Sequence, residues 1–152
     1  MAKFKIKIEG LEQMAEAVKV APALVVKELS EATKRSIGLI QASAKTEAPF
    51  NKGYGGGTLR QRILARMLTK LKGYLIADVD YSAAVHEGTR PHIIRAVNKK
   101  VLANQRTGQI FGKIVRHPGT RPNPFFDRAI KNNIAKIQDL FSNAIIKVMK
   151  TL

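Results

Sequence analysis

The sequence contains no cysteine, few acidic residues and no long apolar run, and each of these absences narrows the functions to consider. Without cysteine, neither a disulfide framework nor a thiolate metal site can form, and nothing in the composition indicates an oxidising compartment. The apolar runs are far shorter than the roughly 20 residues that span a bilayer. The N-terminus alternates lysine with phenylalanine and isoleucine, whereas a secretory signal needs a continuous apolar stretch. We therefore expect a protein made in the cytoplasm and without a membrane partner.

Acidic residues are outnumbered by basic ones, 11 against 27, and the excess lies in the middle of the chain. Residues 51–131 hold 16 Lys or Arg against 4 Asp or Glu and so carry +12 of the net charge of +16. A basic surface attracts polyanions, and each phosphate that it neutralises releases counterions. Contact with nucleic acid is therefore expected, although a solvated basic face that only keeps the protein soluble accounts for the same composition. The middle segment has few aromatics and no recognition helix, so any contact with DNA should be nonspecific.

The length of 152 residues suits one domain, residues 1–152, that can bury a hydrophobic core of its own. Residues 3–8 alternate Lys with Phe or Ile, which predicts a half-buried strand. Helical spacing then predicts a short helix to about Val20 and a second helix from near Pro22 that ends before Pro49. The Gly-rich residues 49–57 predict a flexible loop that orders on assembly.

The C-terminal segment has apolar residues at helical spacing from Phe126 to Val148 and predicts one long helix. Asn123 is its expected N-cap, and Pro124 its expected first residue. Phe125 lies off the apolar stripe, which leaves two interpretations: an anchor in a neighbouring subunit, or a second layer of the core.

A six-residue pattern, His-x-Gly-Thr-Arg-Pro, occurs twice, at residues 86–91 and 117–122. Glycine adopts positive φ, threonine can hydrogen-bond locally and proline fixes φ, so each copy should form a sharply turned surface loop. Between the copies, residues 99–103 and 109–116 are rich in Val, Ile, Leu and Phe, and a turn-like segment joins them. They predict a projecting basic β-hairpin over residues 97–116.

The order of these motifs resembles the tail-completion, or head-tail joining, proteins of long-tailed bacteriophages. The resemblance is carried by residues 81–92, by the basic hairpin and by residues 117–126, which end in Asn-Pro-Phe-Phe. It also takes in the preceding layout of an N-terminal strand, helices and a strand start at residues 58–60. The resemblance implies a non-enzymatic structural protein of the virion neck, assembled in the host cytoplasm as a homo-oligomeric ring, with six copies matching tail symmetry. Its implied partners are the phage connector, the tail-tube or terminator proteins and the DNA that passes through the ring.

The expected fold is α+β: an antiparallel or mixed sheet with the basic hairpin, packed by a long helix from the N-terminal half and a long C-terminal helix. Residues 58–73 fit two interpretations. Their apolar spacing favours a helix, whereas the family layout and a partner strand at residues 74–79 favour a strand. We predict a strand over much of this segment.

Two sets of candidate site residues follow from the resemblance and the charge. The expected turns and subunit contacts are His86, Gly88, Thr89, Pro91, His117, Gly119, Thr120, Pro122 and Phe125. The expected contacts to DNA in the lumen, or to acidic surfaces of neighbouring neck proteins, are Arg60, Arg62, Arg66, Lys99, Lys100, Arg106, Lys113 and Arg116. The pattern does not separate DNA from an acidic protein as the partner of this second set.

The sequence patterns that could indicate catalysis or metal binding are weaker than the repeated motif and the basic charge. His86 and His92 are six residues apart across a glycine and a proline, whereas the metalloprotease motif needs two histidines four apart on one helix. A metal site built from His86, His92 and His117 is the remaining hydrolase hypothesis, and histidines that hydrogen-bond their own turns are the simpler one. We expect no enzyme activity and no cofactor. The alternative to the virion role is a free, nonspecific nucleic-acid-binding protein.

Overall fold

A 25-residue helix, α1 (Ala23–Glu47), crosses the molecule and contacts both the main sheet and the C-terminal helices. Its stripe of small and apolar side chains is buried, with Leu29, Ile37 and Ile40 at most 3% exposed. The hydroxyls of Thr33 and Ser36, also buried, donate to helix carbonyls four residues earlier at 2.8 Å. The helix predicted between Pro22 and Pro49 is confirmed over these residues.

The computed structural model describes residues 5–7, 23–50, 56–97, 100–104 and 107–149. Besides α1, its helices are α2 (Thr58–Gln61), α3 (Ser82–Glu87), α4 (Phe125–Lys131) and α5 (Ile134–Met149). Its strands are β1 (Lys5–Lys7), β2 (Ile63–Thr69), β3 (Lys72–Ala77), β4 (His92–Arg95), β5 (Leu102–Ala103), β6 (Ile110–Gly112) and β7 (Ile114–His117). This composition confirms the α+β class. The predicted short helix ending near Val20 and most of the Gly-rich loop lie outside the described residues.

The main sheet is antiparallel and has the strand order β1-β3-β2. The N-terminal strand is confirmed over Lys5–Lys7, where it pairs with β3 at one edge of the sheet. The strand predicted in residues 58–73 is confirmed from Ile63 to Thr69 and is wrong for Thr58–Gln61, which form a helical turn. Pairing with β3 overrides the helical spacing because β3 offers an alternating buried face, with Leu75 and Ala77 fully buried.

The long C-terminal helix is wrong as one element, because it is interrupted between α4 and α5. Asn133 is 5% exposed, and its side-chain amide donates to the carbonyl of Ala129 at 2.7 Å. That carbonyl would accept the backbone N–H of Asn133 in a continuous helix, whereas this N–H donates to Ile130 instead. The predicted N-cap is also wrong: α4 begins at Phe125, and Pro124 occupies the cap position without a side-chain bond.

The core lies where α1, the main sheet and α4 meet. Its fully buried large side chains include Ile40, Ile63, Leu75, Phe125 and Phe126. Within the described part of the chain, no buried core residue lies between Thr89 and Pro124. The described residues of the segment between the two repeated motifs therefore contribute no buried residue to this core.

We call residues 92–117 the arm; its described residues form two antiparallel strand pairs. At its base β4 pairs with β7, with His92 opposite His117, and further out β5 pairs with β6. The predicted hairpin is confirmed, but strand pairing begins five residues earlier, at His92, than the expected bound of residue 97. The predicted second strand, 109–116, is interrupted at Lys113, next to Gly112 with φ of 91°.

Candidate functional site

The two copies of the repeated motif pair with each other at the base of the arm. The N–H of Thr89 donates to the carbonyl of Thr120 at 3.0 Å, and the N–H of Thr120 donates to the carbonyl of Thr89 at 3.1 Å. Their hydroxyls are also 3.0 Å apart, within hydrogen-bond distance. The sequence predicts two separate turns, and the structure joins them into one closed junction.

Glycine is required in both turns by conformation and by space. Gly88 has φ of 76° and Gly119 has φ of 88°, which side-chain-bearing residues rarely adopt. A Cβ on Gly88 would lie 2.5 Å from the carbonyl oxygen of Thr120, and a Cβ on Gly119 would meet the carbonyl oxygen of Thr89. The predicted sharp turns are confirmed, and each glycine admits the backbone of the other copy. Contact with another subunit remains a prediction.

The histidines of the two copies have different environments. The ring of His86 is buried and packs edge-on against Phe125 at a centroid distance of 5.3 Å. His117 lies on β7, where its ring stacks on His92 at 5.0 Å. Its Nδ1 accepts the N–H of Gly119 at 3.1 Å, so this histidine does hydrogen-bond its own turn. Nδ1 of His92 faces the carbonyl of Arg90 at 2.9 Å and therefore carries the proton.

Burial lowers the pKa of His86 below its ordinary value of 6.5. Asp127 and Glu87 act in the opposite direction, and Oδ1 of Asp127 lies 3.9 Å from Nε2 of the histidine. Because burial outweighs these carboxylates, His86 is held in its neutral form.

The turns are attached to the core through residues 122–126. The N–H of Asn123 donates to the carbonyls of Val85 and His86, both at 3.1 Å. Phe125, directly after this junction, is 0% exposed. Of the two interpretations of Phe125, the core position is therefore correct and the anchor in a neighbouring subunit is wrong.

Two of the predicted cationic residues also make contacts within the fold. Nε of Arg60 donates to the carbonyl of Ala48 at 2.7 Å, and its Nη2 donates to the carbonyl of Thr46 at 3.1 Å, so it caps the C-terminal end of α1. Arg62 pairs with Asp78 at 2.6 Å. The side chain of Arg62 is nevertheless 54% exposed, and contact of either arginine with DNA or an acidic partner remains a prediction.

The remaining predicted cations that the structure describes are exposed: Arg66, Lys100, Lys113 and Arg116. Lys99 and Arg106 lie outside the described residues. Sequence reasoning missed three further exposed cations at or beside the arm: Arg90, Arg95 and Arg121. A detectable signal was present, because the sequence between Gly88 and Phe126 has eight Lys or Arg and no Asp or Glu.

The arm also exposes apolar side chains, which the sequence reasoning did not single out. Ile93 and Ile114 are 53% and 54% exposed, and Ile110 and Val97 are 68% and 89% exposed. Adjacent strand residues point to opposite faces, so the neighbouring apolar pairs Ile93-Ile94 and Ile114-Val115 give the arm apolar groups on both faces. A two-stranded ribbon of this kind is marginal in water by itself, which makes the arm a candidate docking surface.

The described residues contain no group of three or more metal-ligating side chains placed to hold an ion. Among the same residues, no helix is long and apolar enough to cross a membrane. No protein-family model matches the chain, and no curated protein or solved structure is significantly similar to it. The paired turns and the arm are therefore interpreted from their own residues.

Proposed function

We propose that this chain is a structural protein of the head-tail junction of a long-tailed phage, where several copies form a ring around the DNA channel. The order of the two His-x-Gly-Thr-Arg-Pro motifs and the Asn-Pro-Phe-Phe ending support the family assignment. The observation that carries an assembly role is the arm, a basic ribbon with exposed isoleucines on a base fixed by the paired turns. Such a surface gains stability by covering its apolar groups with a partner.

In this role, exposed cations hold the passing DNA by charge alone. The candidates among the described residues, for DNA or for acidic surfaces of neighbouring proteins, are Arg60, Arg62, Arg66, Lys100, Lys113 and Arg116, while Lys99 and Arg106 stay candidates from sequence. Contact with phosphates lets a protein slide along DNA without reading its sequence, which suits a conduit. The ring would adjoin the connector on one side and tail-tube or terminator proteins on the other, and it would work without catalysis or a cofactor.

Quantitative mass spectrometry of gradient-purified phage particles tests this proposal. The chain should be present at a few copies per particle relative to the major capsid protein. Particles made with Lys113→Glu and Arg106→Glu should retain less DNA, because reversed charges repel phosphate. A matched pair of substitutions on α5 and α4, Lys136→Glu and Lys131→Glu, should leave retention unchanged. Absence of the chain from purified particles would contradict the virion role.

A second candidate function is a free, nonspecific nucleic-acid-binding protein in the cell. The run of eight basic and no acidic residues between Gly88 and Phe126 favours it. The isolated protein would then bind short duplexes tightly, with an affinity that falls steeply as salt rises. Weak duplex binding together with presence in the virion would exclude this alternative.

A further inference from the structure

We propose that one face of the arm docks on an acidic corner of the next copy of this chain, and that this head-to-tail contact builds the ring. The inference rests on the proposed function in one respect: the proposed function supplies the expectation that copies of the chain form a ring. The docking face carries Ile93, Arg95, Ile114 and Arg116. The acidic corner comprises residues 78–81, which precede helix α3, Glu87 at the end of α3, and Asp127, whose Oδ1 lies 3.9 Å from Nε2 of His86 on α3.

The register of the arm defines the docking face. Ile93 lies opposite Arg116, and Arg95 lies opposite Ile114. Directly opposed residues of an antiparallel pair share a face, so these four side chains form a patch in which isoleucine and arginine alternate in both directions. The other face carries the stacked His92 and His117.

The composition of this face favours a protein over DNA. Phosphate contacts use cations and leave β-branched apolar side chains in water, so a DNA contact would not cover Ile93 and Ile114. A protein surface that combines carboxylates with apolar groups satisfies both components of the patch.

The acidic corner has the complementary chemistry. Asp80 and Glu87 are exposed, and the side chain of Asp127 is 67% exposed. Tyr81 and Val79 line an adjoining groove of about 460 Å³, together with Asp80 and the paired Arg62 and Asp78. Within the described residues, none of these three carboxylates pairs with Lys or Arg. The carboxylates that do so there are Glu28, Glu31, Glu47 and Asp78.

The docking face and the acidic corner do not meet within one chain. The described residues contain no ion pair between Arg95 or Arg116 and a carboxylate of the corner, and both surfaces are open to solvent. Two complementary but different patches on one chain make a heterologous contact, which closes into a ring when the rotation between copies permits. The charge of the arm thus stabilises contacts between copies whose net charge of +16 would otherwise keep them apart.

A charge-swap experiment tests the contact. One variant reverses the face with Arg95→Glu and Arg116→Glu, and the other reverses the corner with Asp80→Lys and Glu87→Lys. We expect the wild type to form a ring-sized oligomer by sedimentation velocity at low salt, and each variant alone to associate at least tenfold more weakly. An equimolar mixture should assemble again, because in alternating order every face meets a corner of opposite charge.

Three controls separate the contact from other causes. All four residues are exposed, so each variant should keep the circular dichroism and thermal midpoint of the wild type. The pair Lys131→Glu and Lys136→Glu changes the net charge as much as the reversed face and should assemble normally. The pair Ile93→Thr and Ile114→Thr, which keeps charge and branching, should weaken assembly and leave duplex binding unchanged.

The inference is overturned if the wild type stays monomeric, if the reversed face assembles like the wild type, or if the mixture fails to assemble. Loss of duplex binding by the reversed face, without a change in assembly, would assign the face to DNA and would also overturn it. These outcomes are independent of the particle analysis. If the chain is present in virions but the charge swap fails, only the docking contact is contradicted. If the charge swap succeeds but the chain is absent from virions, only the phage role is contradicted.

Discussion

Replacement of Gly88 by alanine tests whether the paired turns hold the base of the arm. Alanine at φ of 76° carries conformational strain, and its Cβ would lie 2.5 Å from the carbonyl oxygen of Thr120. Relief of that clash moves Thr120 away and breaks its two reciprocal backbone hydrogen bonds with Thr89. Strain of about 1–2 kcal/mol and two bonds of about 0.5–1.5 kcal/mol each, less a gain of about 0.4–1 kcal/mol from a stiffer unfolded chain, give a loss of roughly 1–4.5 kcal/mol.

Gly108→Ala is the matched control, because Gly108 also has positive φ, 69°, but a Cβ there meets nothing within 4 Å. It should lose only about 0–1.5 kcal/mol, since strain is the only penalty. Thermal unfolding followed by circular dichroism should show a midpoint lower by roughly 2–18 °C for Gly88→Ala. The loss at the turn should lower the stability of the whole domain, because the N–H of Asn123, close to the turn, donates to the carbonyls of Val85 and His86 on α3. Equal midpoints for the two variants would refute the close packing of the two turns.

Three further predictions concern the body of the domain. Arg128→Ala should lower the free energy of unfolding by about 1–2 kcal/mol in urea titrations, because Arg128 ties α4 to Glu47 at the end of α1 through a partly exposed contact at 2.8 Å. Burial lowers the pKa of His86, so the unfolded chain binds a proton at this residue more tightly than the folded chain does. The contribution of His86 to the free energy of unfolding is therefore complete above about pH 6.5 and is lost as the pH falls. His86→Gln should flatten this part of the profile of stability against pH. Phe126→Ala should destabilise by about 3–5 kcal/mol through a core cavity, whereas Phe111→Ala on the arm should change thermal stability little.

Each of these predictions has a control or a contradicting outcome. For the Arg128 contact, Lys34→Ala removes an exposed ion pair on α1 and should cost no more than about 0.5 kcal/mol. For the histidine, an unchanged slope in His86→Gln would contradict its burial in neutral form. For the core, a thermal midpoint lowered as much by Phe111→Ala as by Phe126→Ala would contradict the exposure of the arm.

Much of the local structure could be predicted from the sequence because it depends on nearby residues. The stripe of small and apolar residues in α1, the turn glycines and the hairpin between the motifs are local patterns, and the structure contains all three. The break in the C-terminal helix was harder to predict from the sequence. Asn133 has a weak helix propensity, but only its burial makes the side-chain bond to Ala129 stable enough to replace the helical one.

The candidate site could be predicted only in part, because some of its features are local in the sequence and others depend on tertiary contacts. The motif residues, the basic charge and the absence of acidic residues along the arm are properties of the sequence alone. Tertiary contacts decided that the two turns pair with each other, that Phe125 is in the core, that Arg60 caps α1 and that β2 is a strand despite its helical spacing. The paired turns and the contact of Arg60 with α1 join residues 12 or more positions apart, so they depend on packing that no local pattern records. The pairing of β2 with the adjacent β3 is closer in sequence, but the buried face of β3 that stabilises it is set by packing against the core.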